Sequence, residues 1–299
     1  MILDMKKILI IGGATATGKS AAAIRIAHRL GGEVISADSM QIYRGMDIGT
    51  AKLVPDEMQG IPHHLIGELN PDDTYNVAVF KDIAKQRIDE IYARQKIPII
   101  CGGTGFYINA LLYDVDFSQN EADHIYRQKL EKMHIDELWD ILRKIDPKAT
   151  EMIDKNNIKR VVRAIEYHNT TGGKISEHNE RERARSPAYE AQIFVLNTER
   201  DKLYERINCR VDDMVAQGLV AEVQGLLDNG YASNLVSMQG IGYKEIVKYL
   251  NKEYDLDNAV SAIKQATRHF AKRQITWFKH QLPQAIWIDI NKQEVEDFL

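Results

Sequence analysis

At 299 residues, with 44% hydrophobic and 27% charged residues, the chain can bury a full core and has the composition of an ordinary soluble globular protein. No apolar run approaches the ~20 residues of a membrane span, and the N-terminal MILDMKKILI enters a strand without a small-residue cleavage site. The net charge of −4 argues weakly against a polyanion partner, and two distant cysteines, Cys101 and Cys209, argue against a disulfide scaffold or structural zinc and for a reducing cytoplasm.

The first element is the one the chain is organised around. Ile8 to Ile11 is an apolar, β-branched run that reads as a buried parallel strand. It empties into Gly13-Ala14-Thr15-Ala16-Thr17-Gly18-Lys19-Ser20, which fits G-x-x-x-x-G-K-[ST] at every fixed position. Ala21 to Leu30 follows as a helix, with Ala23, Ile24, Ala27 and Leu30 at three- and four-residue steps. Backbone N–H groups of such a loop and of the helix N-terminus converge on phosphate oxygens. Lys19 adds a point charge, and the Ser20 hydroxyl is placed to ligate Mg²⁺. The loop calls for a diphosphate or triphosphate and does not say which.

Gly31-Gly32 stops the helix, and Glu33 to Ala37 reads as a second strand. Asp38, Ser39, Met40 and Gln41 follow. Ligands sit at the carboxyl ends of strands in an open parallel sheet, so Asp38 should open beside the phosphate loop. Gly45 to Lys52 and Ile61 to Leu65 read as irregular loop, and Asn76 to Arg94 as an amphipathic helix. Ile97 to Cys101 is a third strand, running into Gly102-Gly103-Thr104-Gly105. Backbone N–H groups and the Thr104 hydroxyl of that turn are candidates for a second wall around the same anion.

From Ser118 to about Ser186 hydrophobic strands give way to helical periodicity and alternating charge, which reads as an inserted helical subdomain. Ala191 to Leu196 returns to the sheet. Leu203 to Gln217 is an amphipathic helix that carries Arg206 and Arg210 one turn apart, a spacing that lets both reach one anion or form surface ion pairs with Asp212 or Asp213. Leu235 to Leu250 and Ala259 to Trp277 read as helices, and Ala285 to Ile290 as a closing strand. Charge is uneven. Residues 155–185 hold eight Lys or Arg against four acids, and 258–288 has no acid while carrying Lys264, Arg268, Lys272, Arg273 and Lys279. Such patches suit a polyanion or a solvated helix face equally.

Taken in order, the phosphate loop, ISADSMQIYRGMDIGTAK, PHHL, IICGGTGFYI, KRVVRAIE, LYERINCRVDDMV, GLVAEV, GIGYKE and AKRQITWF resemble the bacterial type of tRNA dimethylallyltransferases, or tRNA isopentenyltransferases, from about residue 6 to residue 280. Ala14 stands where that family usually has proline. The resemblance implies an α/β fold with a P-loop NTPase-like parallel sheet flanked by helices. It implies a core from 1–117 and 187–299, and a helical tRNA-binding subdomain at 118–186. It implies transfer of a dimethylallyl group from its diphosphate to N6 of an adenosine beside the anticodon, by a monomer using Mg²⁺. On this resemblance Gly13 to Ser20 and Arg210 hold the diphosphate, while Asp38, Thr104, Lys19 and Arg206 act in catalysis. The tRNA would be met by Asp38, Ser39, Met40, Gln41, Arg127, Lys159, Arg160, Val161, Val162 and Arg163, with Arg268 and Arg273 added from the acid-free stretch. An ATP-dependent small-molecule kinase, an adenylate isopentenyltransferase and a non-enzymatic nucleotide switch remain the alternatives. The insertion and the acid-free stretch count against a free-nucleotide acceptor.

Overall fold

The computed structural model describes residues 5–117 and 124–299, and the expected start of the insertion at Ser118 lies outside them. The elements run β1 (Lys7–Gly13), α1 (Lys19–Leu30), β2 (Gly32–Ser36), β3 (His63–His64), α2 (Val77–Ala93), β4 (Ile97–Gly102) and α3 (Gly105–Leu112). Five helices follow: α4 (His124–Glu131), α5 (Ile135–Ile145), α6 (Ala149–Met152), α7 (Ile158–Thr171) and α8 (Ile175–Arg183). The chain then gives β5 (Glu190–Asn197), α9 (Arg200–Ala216), α10 (Leu219–Asp228), α11 (Tyr243–Leu250), α12 (Leu256–Gln281) and β6 (Ile286–Asp289).

Two compact units result, one from Met1–Leu112 with Ala188–Leu299 and one from Tyr113–Pro187. The larger holds a six-stranded sheet in the order β3-β2-β4-β1-β5-β6, with every pair parallel. The chain leaves β1 on one side for β2 to β4 and returns on the other for β5 and β6. The carboxyl ends of β1 and β4 therefore flank a switch point, the place where a crevice opens in such a sheet. Register fixes what meets there: Gly12 pairs with Gly102, and Ser36 pairs with Cys101. The phosphate loop, the second glycine turn and Asp38 thus all leave the sheet at one level. Beneath them Leu9, Ile11, Ile99 and Phe194 form a core with Ala22, Ala23 and Ile26 of α1. The smaller unit has its own core, Leu130, Leu138, Leu142, Ala149, Val161, Val162, Ala164 and Ile165.

Two expectations are corrected. The stretch 61–65, read as loop, contains β3, which pairs with Val34 and Ile35 of β2. The cause lies in Glu33, almost fully buried at the start of β2. Its carboxylate accepts hydrogen bonds from Arg94 Nε (3.1 Å) and Nη2 (2.6 Å), is 2.8 Å from His64 Nε2 and 3.3 Å from Lys96 Nζ. A buried carboxylate needs such partners, and one of them comes from the edge strand. The expected helix 235–250 is broken: a short 3-10 turn, Ser237–Gln239, precedes α11. Gly242 at φ 97° takes a backbone conformation that a helix cannot continue through, and its N–H is held by Glu245 Oε2 at 2.8 Å. One helix, α10, was not foreseen.

The Arg94 hydrogen bonds, joined by those of His64 and Lys96, pull the Glu33 pKa from 4.5 down to about 2. A depressed folded-state pKa stabilises the fold fully above the ordinary value and is lost as pH falls toward the folded one. Glu33→Gln should lower the melting temperature by several degrees at neutral pH. That deficit should shrink between about pH 4.5 and pH 2, as followed by thermal denaturation across the acid range.

Candidate active site: a phosphate loop facing a strand-end carboxylate

The larger unit carries a cleft of about 670 Å³ over the carboxyl ends of β1, β2 and β4. Its floor is the phosphate loop. Gly18 at φ 82° and Ala16 at φ 63° hold the left-handed backbone that curls the loop over the start of α1. Gly18 caps α1 without a side-chain hydrogen bond, and the first turn has no acid. Its N-terminal N–H groups and the positive end of its dipole are therefore left for an anion. The Ala14 carbonyl, beneath the loop, accepts from Lys19 Nζ (2.6 Å) and from Thr17 Oγ1 (2.8 Å). The Ala14 methyl is buried against Leu203, Ile207 and Ala271. Burial pushes the Lys19 pKa down from 10.5 to about 8, against the opposing fields of Cys101 and Asp38, while Arg210 pushes the same way as burial. Burial likewise raises the neighbouring Cys101 thiol to about 11, so it is held neutral.

Asp38 lines the same cleft. Its Oδ1 accepts from the Met40 N–H (2.8 Å) and the Gln41 N–H (3.3 Å), which fixes the carboxylate plane and points one oxygen away from these donors. Gln41 is spent on structure: Oε1 takes the Ser36 hydroxyl, and Nε2 donates to the Thr50 and Ala51 carbonyls. Met40 packs on Gly240, where a Cβ would meet its Cε at 2.5 Å.

The second glycine turn is partly corrected. The Thr104 N–H donates to the Ala37 carbonyl at 3.2 Å and the Gly105 N–H to Gly103 O at 3.1 Å, so these donors are not available to an anion. Gly102 is required by closeness: a Cβ there would lie 2.2 Å from the Ala37 carbonyl oxygen. Gly102 and Gly103 line the cleft, while Thr104 is half-buried and is not among the lining residues.

Of the two arginines on α9, Arg210 enters the cleft, with Nη1 3.5 Å from Thr15 Oγ1 and its charge partly desolvated, opposite Glu57. Arg206 is exposed and does not line it. Asp212, foreseen as a partner for this pair, binds Lys264 of α12 at 2.6 Å instead. Sequence reasoning missed two residues that shape the cleft. Glu222 of α10 accepts from the N–H groups of Asp47 (2.9 Å), Ile48 (2.7 Å) and Gly49 (3.0 Å) and from the Tyr243 hydroxyl (2.7 Å), pinning a wall of the cleft. Gln274 joins the phosphate loop to the second glycine turn. Its signal was an amide on the buried stripe of α12 with Ala271 and Phe278.

The other residues assigned to RNA divide. Arg268 is turned to α9, donating to Asn208 Oδ1 at 2.7 Å and lying over the Tyr204 ring, whereas Arg273 is exposed on another face with His269, Lys272 and Trp277. In the smaller unit Lys159 and Arg160 are exposed and Arg163 is half-buried. Val161 and Val162 are core residues at 0% and 1% exposure, which corrects their assignment as contacts. Arg127 is ion-paired with Glu131 (3.0 Å) and the buried Glu166 (3.5 Å). Among the described residues no group of three His, Cys, Asp or Glu could cage a metal. The Ser20 hydroxyl on the cleft wall suits Mg²⁺ only as one ligand of an ion otherwise held by substrate oxygens and water.

Fold and cleft define a P-loop NTPase-like α/β protein with a cleft at the switch point of its sheet. Residues 41–281 match the family model described as IPP transferase. A tRNA dimethylallyltransferase of Lachnoclostridium phytofermentans is 52% identical over 95% of this chain and 92% of its own length. One of Acetivibrio thermocellus is 48% identical over 98% and 94%. Among solved structures, the full-length tRNA isopentenylpyrophosphate transferase of Bacillus halodurans superimposes with a TM-score of 0.73 at 41% identity, covering 98% of this chain and 93% of that one. A eukaryotic dimethylallyltransferase captured acting on tRNA gives 0.86 at 29% identity, over 98% and 77%. The chain belongs to the tRNA dimethylallyltransferase family, and so to the transferases.

The Glu222 clamp has a local consequence. Glu222→Ala should release the Asp47, Ile48 and Gly49 amides, whose hydrogen exchange should accelerate at least about tenfold while the β1 and β4 amides stay protected. Unchanged exchange at the three amides would mean that the loop holds itself.

Proposed function

We propose that this chain transfers the dimethylallyl group of dimethylallyl diphosphate to N6 of adenosine 37, next to the anticodon of tRNA, and releases diphosphate. One observation carries the reading: a single cleft sets a pinned carboxylate, Asp38, against a phosphate loop with a half-buried lysine. The relatives named for the same transfer support the substrate pair.

The exocyclic amine is a poor nucleophile, so departure of the diphosphate must be assisted. The N6–C1 bond forms as the C1–O bond breaks, the electron pair leaves with the diphosphate, and the N6 proton passes to Asp38. With Oδ1 held by two N–H groups, Oδ2 is the oxygen offered to the amine, a general base aimed before the substrate arrives. Lys19, the N–H groups that open α1 and Arg210 meet the charge that develops on the leaving group. Ser20 would hold a Mg²⁺ at this place, which would supply further neutralisation of the leaving group's charge. Adenine in a stacked loop is out of reach, so the base must be flipped into the cleft. Lys159, Arg160 and Arg163 in the smaller unit and Arg273 on α12 supply the sequence-independent hold on RNA phosphates. The same reading takes the protein as a monomer and as cytoplasmic, the compartment resting on two cysteines that are both free. No helix among the described residues is long and apolar enough to cross a membrane.

Labelled dimethylallyl diphosphate offered with bulk tRNA, ATP and AMP side by side tests the whole reading, and label should enter tRNA alone. Asp38→Ala should slow single-turnover transfer by about 10²- to 10⁴-fold while donor affinity stays within about threefold. A near-normal rate would remove the general base. The two α9 arginines should separate. Arg210→Ala should weaken diphosphate binding about 10- to 100-fold, and Arg206→Ala by no more than about threefold, as read by calorimetry. Equal losses would return Arg206 to the site.

A further inference from the structure

The amide of Gln274 occupies a place that packing alone would give to an apolar side chain. It lies on the buried stripe of α12 between Ala271 and Phe278 and is 6% exposed. Its Oε1 accepts the Thr15 N–H at 2.9 Å, and its Nε2 donates to the Gly103 carbonyl at 2.9 Å. Thr15 offers only an N–H there and Gly103 only a C=O, so the amide has one satisfied orientation, and burying it any other way costs an unpaired polar group. Gly103 is fitted to the same amide, since a Cβ there would lie 2.2 Å from Nε2. On its far side Thr15 meets Arg210, through Oγ1 at 3.5 Å. One side chain thus ties the phosphate loop to the second glycine turn and sets the residue that Arg210 touches.

We infer that Gln274 is a positioning residue for the leaving group: it holds the phosphate loop in its anion-binding curl and in register with Arg210, acting through Thr15 rather than on the diphosphate. The inference rests on the diphosphate reading proposed above. Because the tie is to the loop, its loss should fall on the donor and spare the RNA.

The test uses the full chain, inorganic diphosphate with Mg²⁺ as the probe, and five variants: Lys19→Ala, Gln274→Met, Gln274→Ala, Gly103→Ala and the double Gln274→Ala/Gly103→Ala. Gln274→Met keeps volume and removes both hydrogen bonds. Gly103→Ala pushes the amide off from the other side. Each single change should weaken diphosphate binding about tenfold and raise the KM for dimethylallyl diphosphate in step. The KM for tRNA should stay within about twofold. The double variant should be no weaker than Gln274→Ala alone, because the added methyl then fills the space the amide left. If Gln274→Met does not fold, Gly103→Ala and the double variant decide. Wild-type diphosphate affinity in folded Gln274→Met or Gly103→Ala, with Lys19→Ala impaired, would overturn the inference and leave the diphosphate reading standing. Equal losses for donor and tRNA would reduce Gln274 to a packing role and overturn it too. Failure of the wild-type chain to bind diphosphate would take down the reading and the inference together.

Discussion

The parallel ladder through β2, β4 and β1 is the constraint on which the site depends. Pairing Gly12 with Gly102 and Ser36 with Cys101 brings three strand ends to one level. Loops that leave there converge whatever their own sequence. A slip of one residue in any of these pairs would move Asp38 or the phosphate loop by more than a hydrogen bond's reach, since a strand rises about 3.3 Å per residue. The chemistry is therefore carried by loops and aimed by the sheet.

Most of the strand order's consequence was legible, because buried parallel strands are continuous apolar runs and glycine turns punctuate them. Ile8 to Ile11 and Ile97 to Cys101 read in this way, and Asp38 at a strand end was placed by the same logic. What escaped was non-local. Nothing near 61–65 says strand; the partner that makes it one is Glu33, a buried carboxylate thirty residues earlier that needs His64. Glu222 and Gln274 escaped for the same reason, because each is defined by backbone groups it reaches across the fold. Their neighbours on the chain give no hint of that.

The arginine pair on α9 shows the opposite failure. Spacing of four residues puts two side chains on one face, one turn apart, and it cannot tell which of the two the cleft reaches. Burial decided it: Ile207 and Val211 face the core, Arg210 follows them inward, and Arg206 stays in solvent. Val161 and Val162 teach the same lesson inside a basic segment, where the charged residues mark the surface and the two between them form the core.

The point where the smaller unit leaves the sheet protein also bears on how the chain folds. β5 must find β1, pairing Lys7 with Glu190 across more than half of the chain. Such a contact is slow to form, because a long loop must close before it is rewarded. The Ala188 N–H, however, donates to the Leu112 carbonyl at 2.7 Å, so the two ends of the intervening segment are stitched together at its base. Once helices α4 to α8 have collapsed on their own local contacts, that segment no longer counts as free chain. The search that β5 faces is then shortened to the distance between β4 and its neighbour. An insertion closed at its base in this way leaves the nucleation of the sheet nearly as local as it would be without it.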